Sequence, residues 1–324
     1  MGWVRGQLLG SGSFATVNLA THTNNSDKFP SITAVKSSDT YYSHLLHNEK
    51  QILDHLGSSL HVINCFGDDH TIEDGEECYN IFLEYAAGGT LFDQLKNYGG
   101  KLPETLVRRY TRSILEGLKH VHENGFVHCD VKLQNILVFE DGNVKISDFG
   151  LAKEKGLKNN GKLECRGTPM FISPEAVNDS VYESPADIWA LGCAVVEMFT
   201  GKPAWNFSGT NIWSLLIRIG VGEELPLIPK ELSQEGKDFL QKIFVKDPLK
   251  RWTAEMLLKH PFIFEDKNVS LVKELTNESS SMPSPSSPRT HFDISTEFEN
   301  DFCSPEERLQ RLVEDQRFVR LVRI

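Results

Sequence analysis

The stretch His128-Cys129-Asp130-Val131-Lys132-Leu133-Gln134-Asn135, followed after a short apolar run by Ser147-Asp148-Phe149-Gly150, decides how the rest of the chain is read. It sets out an acid, a lysine two residues on, an amide three further, and a second acid at the next strand end. These are the groups that phosphoryl transfer needs. Asp130 can orient and deprotonate an attacking hydroxyl, and Lys132 can balance charge on the moving phosphoryl group. Asn135 and Asp148 can hold Mg²⁺ from two sides through hard oxygen atoms. The apolar runs Ile136-Leu137-Val138-Phe139 and Val144-Lys145-Ile146 predict short strands that fix the loop, and positioning is most of the catalysis in such chemistry. A His-x-Asp by itself usually marks only a turn, with the Asp accepting backbone N–H bonds, so the reading depends on the segments around it.

Toward the N-terminus, Trp3 to Leu9 alternates as a strand, and Gly10-Ser11-Gly12-Ser13-Phe14-Ala15-Thr16-Val17 turns it into a second strand through Leu19. A glycine-rich hairpin covers phosphates from above, whereas a dinucleotide fingerprint opens a helix, so the context selects the former. Ala34-Val35-Lys36 closes a third strand, and Leu46, Ile52, Leu53 and Leu56 form a helical stripe on the segment that carries Glu49. Asp68 to Glu77 is acidic and turn-rich and reads as a connector, a solvated hairpin tip without chemistry. Ile81-Phe82-Leu83-Glu84-Tyr85-Ala86 is an apolar strand running into Gly88-Gly89. Pro103 begins an amphipathic helix to about His122, with Leu106, Tyr110, Ile114 and Leu118 in phase.

Together these segments resemble a eukaryotic protein kinase over residues 3 to 264. The narrower likeness is to the small, single-kinase-domain MEKK-type mitogen-activated protein kinase kinase kinases of plants. It rests on Cys129 with the Asp130 to Asn135 run, on Thr168-Pro169-Met170-Phe171, and on Ser304 to Glu307. The resemblance implies an α+β, bilobal protein kinase fold: a small antiparallel-sheet lobe with one helix (3–84), a hinge (84–90) and a larger helical lobe (91–264). It makes Gly10 and Gly12 the phosphate lid, with Ala15 where a third glycine is usual. Lys36 becomes the ligand of the α- and β-phosphates and Glu49 its ion-pair partner. Leu83 stands at the gatekeeper position, the backbone of Glu84 and Ala86 meets the adenine edge, and Leu9, Val17, Ala34 and Leu137 wall a dry slot.

In the same reading Asp130 and Lys132 are catalytic, and Asn135 and Asp148 hold the metal. The segment from Asp148 to Glu175 is the activation segment, where Thr168 paired with Lys132 marks a Ser/Thr kinase. Asp187 braces the catalytic loop from below and Arg251 pairs with Glu175. The implied reaction takes ATP and a protein Ser or Thr to ADP and phosphoprotein. The implied substrate is a mitogen-activated protein kinase kinase, in stress or hormone signalling. The alternatives are a pseudokinase scaffold and a Ser/Thr kinase outside that cascade. In many kinases an arginine beside the catalytic Asp pairs with a phosphate on the activation segment. Here that place is Cys129, and no Ser, Thr or Tyr lies between Asp148 and Thr168, so activity independent of such a phosphate is expected.

With 324 residues, 40% hydrophobic and 24% charged, the length allows two domains and the composition is ordinary globular, which a soluble two-lobed enzyme fits. A formal charge of -11 speaks against nucleic acid or an anionic membrane as a generic partner. The 6 cysteines show no Cys-x-x-Cys pair and read as reduced thiols of cytoplasm or nucleus. No signal peptide is evident, and Gly6 stands where N-myristoylation prefers Ser or Thr. Residues 265–303 read as a Ser/Pro-rich and acidic linker, and 304–324 as a short helical tail opened by the cap Ser304-Pro305-Glu306-Glu307. The tail's stripe of Leu309, Leu312, Val313, Val319 and Val322 can dock a partner or pack on the large lobe. A calmodulin-type target is a weaker fit, because Glu306, Glu307, Glu314 and Asp315 dilute its arginines.

Overall fold

Strands with alternating or continuous burial fill the first part of the chain, and the antiparallel sheet they form roofs the cleft. A computed structural model describes residues 2–12, 14–23, 30–73, 75–157, 166–207 and 211–263. The sheet comprises β1 (Trp3–Ser11), β2 (Thr16–His22), β3 (Ile32–Asp39), β4 (Cys65–Glu73) and β5 (Glu76–Leu83), in the order β1-β2-β3-β5-β4. Helix α1 (Ser43–Leu56) lays Leu46, Ile52, Leu53 and Leu56 inward, as its spacing predicts, and buries Glu49 on the same face.

The hairpin expected with its tip in Asp68 to Glu77 is present, but its strands reach further than expected: pairing runs from Cys65↔Leu83, past an irregularity before Gly67, to Glu73↔Glu76, so the turn itself is short. The acidic residues are tolerated because β4 is a sheet edge, where charges blunt further pairing. They also find partners: Trp3 Nε1 donates to Asp69 at 2.9 Å, and Arg5 contacts Glu73 at 2.5 Å.

The hinge after β5 is fixed by close backbone approach. Gly88 N–H donates to Val138 O, and a Cβ on Gly88 would sit 2.7 Å from that oxygen, so no larger residue fits there. The large lobe follows with α2 (Leu91–Asn97), capped by Thr90 and Asp93, and α3 (Glu104–Glu123). The buried face of α3 runs through Val107, Tyr110, Ile114, Leu115, Leu118 and Val121, while Leu106 is half-buried, so the stripe centre lies beside the one read from sequence. The two-residue strands β6 (Phe126–Val127) and β9 (Lys153–Glu154) pair, as do β7 (Ile136–Val138) and β8 (Val144–Ile146). Between β6 and β7 hangs the stretch His128 to Asn135.

Helices α4 (Pro174–Asp179), α5 (Ser184–Thr200), α6 (Ile212–Gly220), α7 (Gln234–Ile243) and α8 (Ala254–Leu258) complete the described chain. Helix α5 is buried on nearly every side from Ala186 to Met198, the signature of a central helix rather than a surface one. The architecture is α+β and two-lobed, as expected. Among the described residues no helix is long and apolar enough to cross a membrane. The linker and tail expected over 265–324 lie outside the described residues.

Candidate active site

Strand β3 points Lys36 into the cleft, where its Nζ lies 2.5 Å from Glu49 Oε2 and 2.8 Å from Asp148 Oδ1. The second Glu49 oxygen accepts the Phe149 N–H at 3.2 Å. Burial drives the Glu49 carboxyl above its ordinary pKa, against the opposing pull of Lys36 and of the Phe149 N–H. A residue earlier, the Asn48 amide donates to the carbonyls of Gly150 at 3.1 Å and Ala152 at 2.9 Å. Helix α1 is thereby fastened to the start of the activation segment. Nothing in the sequence singles out Asn48 beyond its place beside Glu49. Asp148 holds φ 66°, a left-handed conformation uncommon for a non-glycine residue and concentrated at functional sites.

Asp130 is the hub of the loop. Its Oδ1 accepts the Thr168 N–H at 3.0 Å and the Thr168 hydroxyl at 2.8 Å, and its Oδ2 accepts Asn135 Nδ2 at 2.9 Å. Lys132 Nζ lies 2.8 Å from Asp130 Oδ2 and donates to Thr168 Oγ1 at 2.7 Å. These bonds use the donors of Asn135 and leave its Oδ1, which is buried without a hydrogen-bond partner. An isolated buried amide oxygen costs free energy unless a ligand meets it. A hard oxygen donor on the side chain that brackets Asp130 is of the type that Mg²⁺ takes. Among the described residues no group of three His, Cys, Asp or Glu is placed to hold a metal. Mg²⁺ suits such a sparse set, because it takes one or two protein ligands and completes its shell with water and substrate phosphates.

Below the loop, Asp187 Oδ2 accepts the His128 N–H at 2.8 Å, and Oδ1 accepts the Cys129 N–H at 2.9 Å. His122, which the sequence reading did not single out, adds its Nε2 at 2.8 Å from Oδ2. Burial alone would raise the Asp187 pKa, but the hydrogen bond and charge of His122, with His128, outweigh it and hold the carboxyl below its ordinary value. Cys129 takes φ 66°, a conformation that the clamp from Asp187 stabilises. Further down, Arg251 grips Glu175 with both nitrogens at 2.6 and 3.0 Å, donates to Pro185 O at 2.7 Å, and lies over the Trp189 ring at 5.0 Å.

At the hinge end, Leu9, Val17 and Leu137 are partly buried against the core cluster that contains Ala34 and Leu83. The Glu84 N–H is held by Asn64 O, and the Ala86 carbonyl by Gly89 N–H. Neither Glu84 nor Ala86 is among the residues that line the cleft beneath the lid. The Glu84 side chain has a further role not read from sequence: it binds Lys145 at 2.7 Å and Asn64 at 2.8 Å, pinning the hinge to β8. At the lid, Gly10 pairs with Val17, Gly12 N–H closes on Ala15 O at 2.9 Å, and the Phe14 ring packs on Tyr42 at 4.8 Å. Beneath it lies a cleft of about 540 Å³ including its open mouth, lined by Gly12, Lys36, Glu49, Asp130, Lys132 and Asp148 among others.

The protein kinase domain model matches residues 3–263 of this chain. The chain belongs to the protein kinase family. It is 52% identical over 330 aligned residues to mitogen-activated protein kinase kinase kinase 20 of Arabidopsis thaliana, covering 97% of this chain and 95% of that protein. Mitogen-activated protein kinase kinase kinases 17 and 18 of the same plant are 43% and 41% identical, over 81% and 86% of this chain and 70% and 82% of their own lengths. The kinase is therefore a Ser/Thr protein kinase of the mitogen-activated protein kinase kinase kinase type, with ATP as phosphoryl donor.

Proposed function

We propose that this kinase phosphorylates mitogen-activated protein kinase kinases on Ser or Thr, and so feeds a phosphorylation cascade. The names of its relatives support that substrate, and the observation that carries the chemistry is the Asp130 hub, with Asn135 Oδ1 left unused at its side. The substrate hydroxyl approaches Asp130, which takes its proton as the oxygen attacks the γ-phosphorus. The bond from the γ-phosphorus to the β,γ-bridging oxygen breaks, and ADP leaves with that electron pair. Lys132 offsets charge on the transferred group, while Lys36, held by Glu49, secures the inner phosphates. Asn135 and Asp148 would hold Mg²⁺, which would supply charge neutralisation for the phosphates.

A radiolabelled-phosphate assay tests this reading, run with a generic substrate and with catalytically dead mitogen-activated protein kinase kinases. Transfer to both, with a higher kcat/KM on the kinase kinase, is expected. Absence of transfer to either would leave the scaffold alternative. We also propose that the 304–324 tail docks the protein substrate and that the enzyme works in cytoplasm or nucleus, on the amphipathic stripe and the cysteine usage. Truncation after Phe264 should then spare activity on a generic substrate and lower it on the physiological one. Equal loss on both, with a lower Tm, would mark a structural helix.

A further inference from the structure

Activation segments need their two ends held against the catalytic loop, and in this kinase an arginine from the segment itself makes that tie. Arg166 Nη1 donates to Leu151 O at 3.0 Å, joining the residue that follows Gly150 to the run that ends at Thr168. The Arg166 N–H donates to Tyr182 Oη at 2.6 Å. Tyr182 is 3% exposed and belongs to an apolar cluster with Ile172, Ala176, Trp213 and Leu216, so it is a fixed anchor. The next residue, Gly167, has φ 87°, and a Cβ there would lie 2.3 Å from Cys129 O, so the backbone rests directly on the catalytic loop. Thr168 then reaches Asp130 and Lys132.

Cys129 packs against the same apolar cluster as Tyr182, so it serves as a small hydrophobe at the position where many kinases carry a phosphate-binding guanidinium. With no Ser, Thr or Tyr between Asp148 and Thr168, the segment there offers no phosphate for such a guanidinium to hold. A charged, planar donor on a backbone carbonyl is strong and geometrically fixed, which suits Arg166 to the task. We propose that Arg166, seated on Leu151 and Tyr182, is a positioning residue that sets Thr168 against Asp130 and Lys132 and so replaces activation-segment phosphorylation.

This inference rests on the phosphotransfer reading above. Its test uses the full chain co-expressed with a phosphatase and shown to be phosphate-free by intact mass. That enzyme should transfer phosphate to a protein substrate. Arg166→Ala should lower kcat/KM for the protein substrate by about tenfold or more, as small misplacements of reacting groups do, while the Kd for ATP stays within about twofold. Tyr182→Phe should give a smaller loss in the same direction, and Arg166→Lys, which keeps one donor for Leu151 O, should recover part of the rate. Wild-type kinetics in Arg166→Ala overturn the proposal. So does a parallel loss of ATP affinity and Tm without rescue by lysine. A phosphate-free enzyme that is silent until Thr168 or Ser173 is phosphorylated overturns it too, yet leaves the kinase reading standing. Silence in both states sinks both.

Discussion

Buried charges lie both above and below the catalytic loop, and the two groups are completed differently. Below, Arg251 divides its donors among Glu175, Pro185 O and Val245 O, and Asp187 receives His122, His128 and Cys129, so every charge there is met by protein. Above, Lys36, Glu49, Asp130 and Asp148 are also tightly bonded, yet they line an open cleft, and Asn135 Oδ1 beside them has no partner. A buried ion pair is weak evidence of stabilisation, because desolvation offsets the attraction, but breaking one strands a charge. The lower group therefore behaves as foundation and the upper as machinery, and substitutions in the two should fail in different assays.

The largest effect is expected above the loop. Asp130→Asn should reduce kcat by on the order of 10² to 10⁴ while ATP Kd stays near wild type, because it removes the base and keeps the shape; the amide set against donors should lower Tm only modestly. Turnover close to normal in that variant would break the division, since the hub would then be structural.

Below the loop the readout reverses. Arg251→Ala should cost about 3 to 5 kcal/mol of unfolding free energy, measured in denaturant, because it leaves Glu175 buried and unpaired. The double replacement Arg251→Met with Glu175→Leu should recover much of that loss. A stable Arg251→Ala protein with selectively lost catalysis would move this pair into the machinery.

Glu197 on α5 sharpens the contrast, being a buried carboxyl with an unpartnered Oε2 and no place among the residues lining the cleft. Burial pushes its pKa up to about 7 from an ordinary 4.5. Between those values the unfolded chain ionises while the folded carboxyl stays neutral, so stability falls as pH rises and remains low above pH 7. Glu197→Gln should flatten that slope and add up to about 3 kcal/mol at pH 8. Parallel stability–pH curves for the two proteins would show that a partner meets the carboxylate in solution.

The smallest effect tests the unused oxygen. Asn135→Ala should weaken apparent Mg²⁺ binding, read as the half-saturating concentration in the presence of ATP, by about tenfold. An unchanged Mg²⁺ requirement would leave Asn135 as a bracket for Asp130 alone.

Much of this was legible in the chain. The spacing of Asp130, Lys132 and Asn135, the stripe of α1 and the glycine hairpin are local patterns, and the period of helix or strand carries them straight into geometry. In the stretch Asp68 to Glu77 the hairpin was legible but the length of its strands was not, because its acids and glycine look like a longer loop. Pairing of Cys65–Glu73 with Glu76–Leu83 at the sheet edge overrode that local signal. His122 meeting Asp187, Glu84 meeting Lys145, and Arg166 meeting Leu151 had no signal of their own, since each side chain is an ordinary polar residue on its own element.

The sequence by itself determined which chemistry this kinase performs and on which loop, because the reacting groups sit within a few residues of one another and short-range backbone periodicity places them. Only the tertiary structure decided what holds that loop in position. The clamps come from residues distant in the chain, and their directed hydrogen bonds exist only once a shared core has brought α1, α3 and α5 together around the cleft.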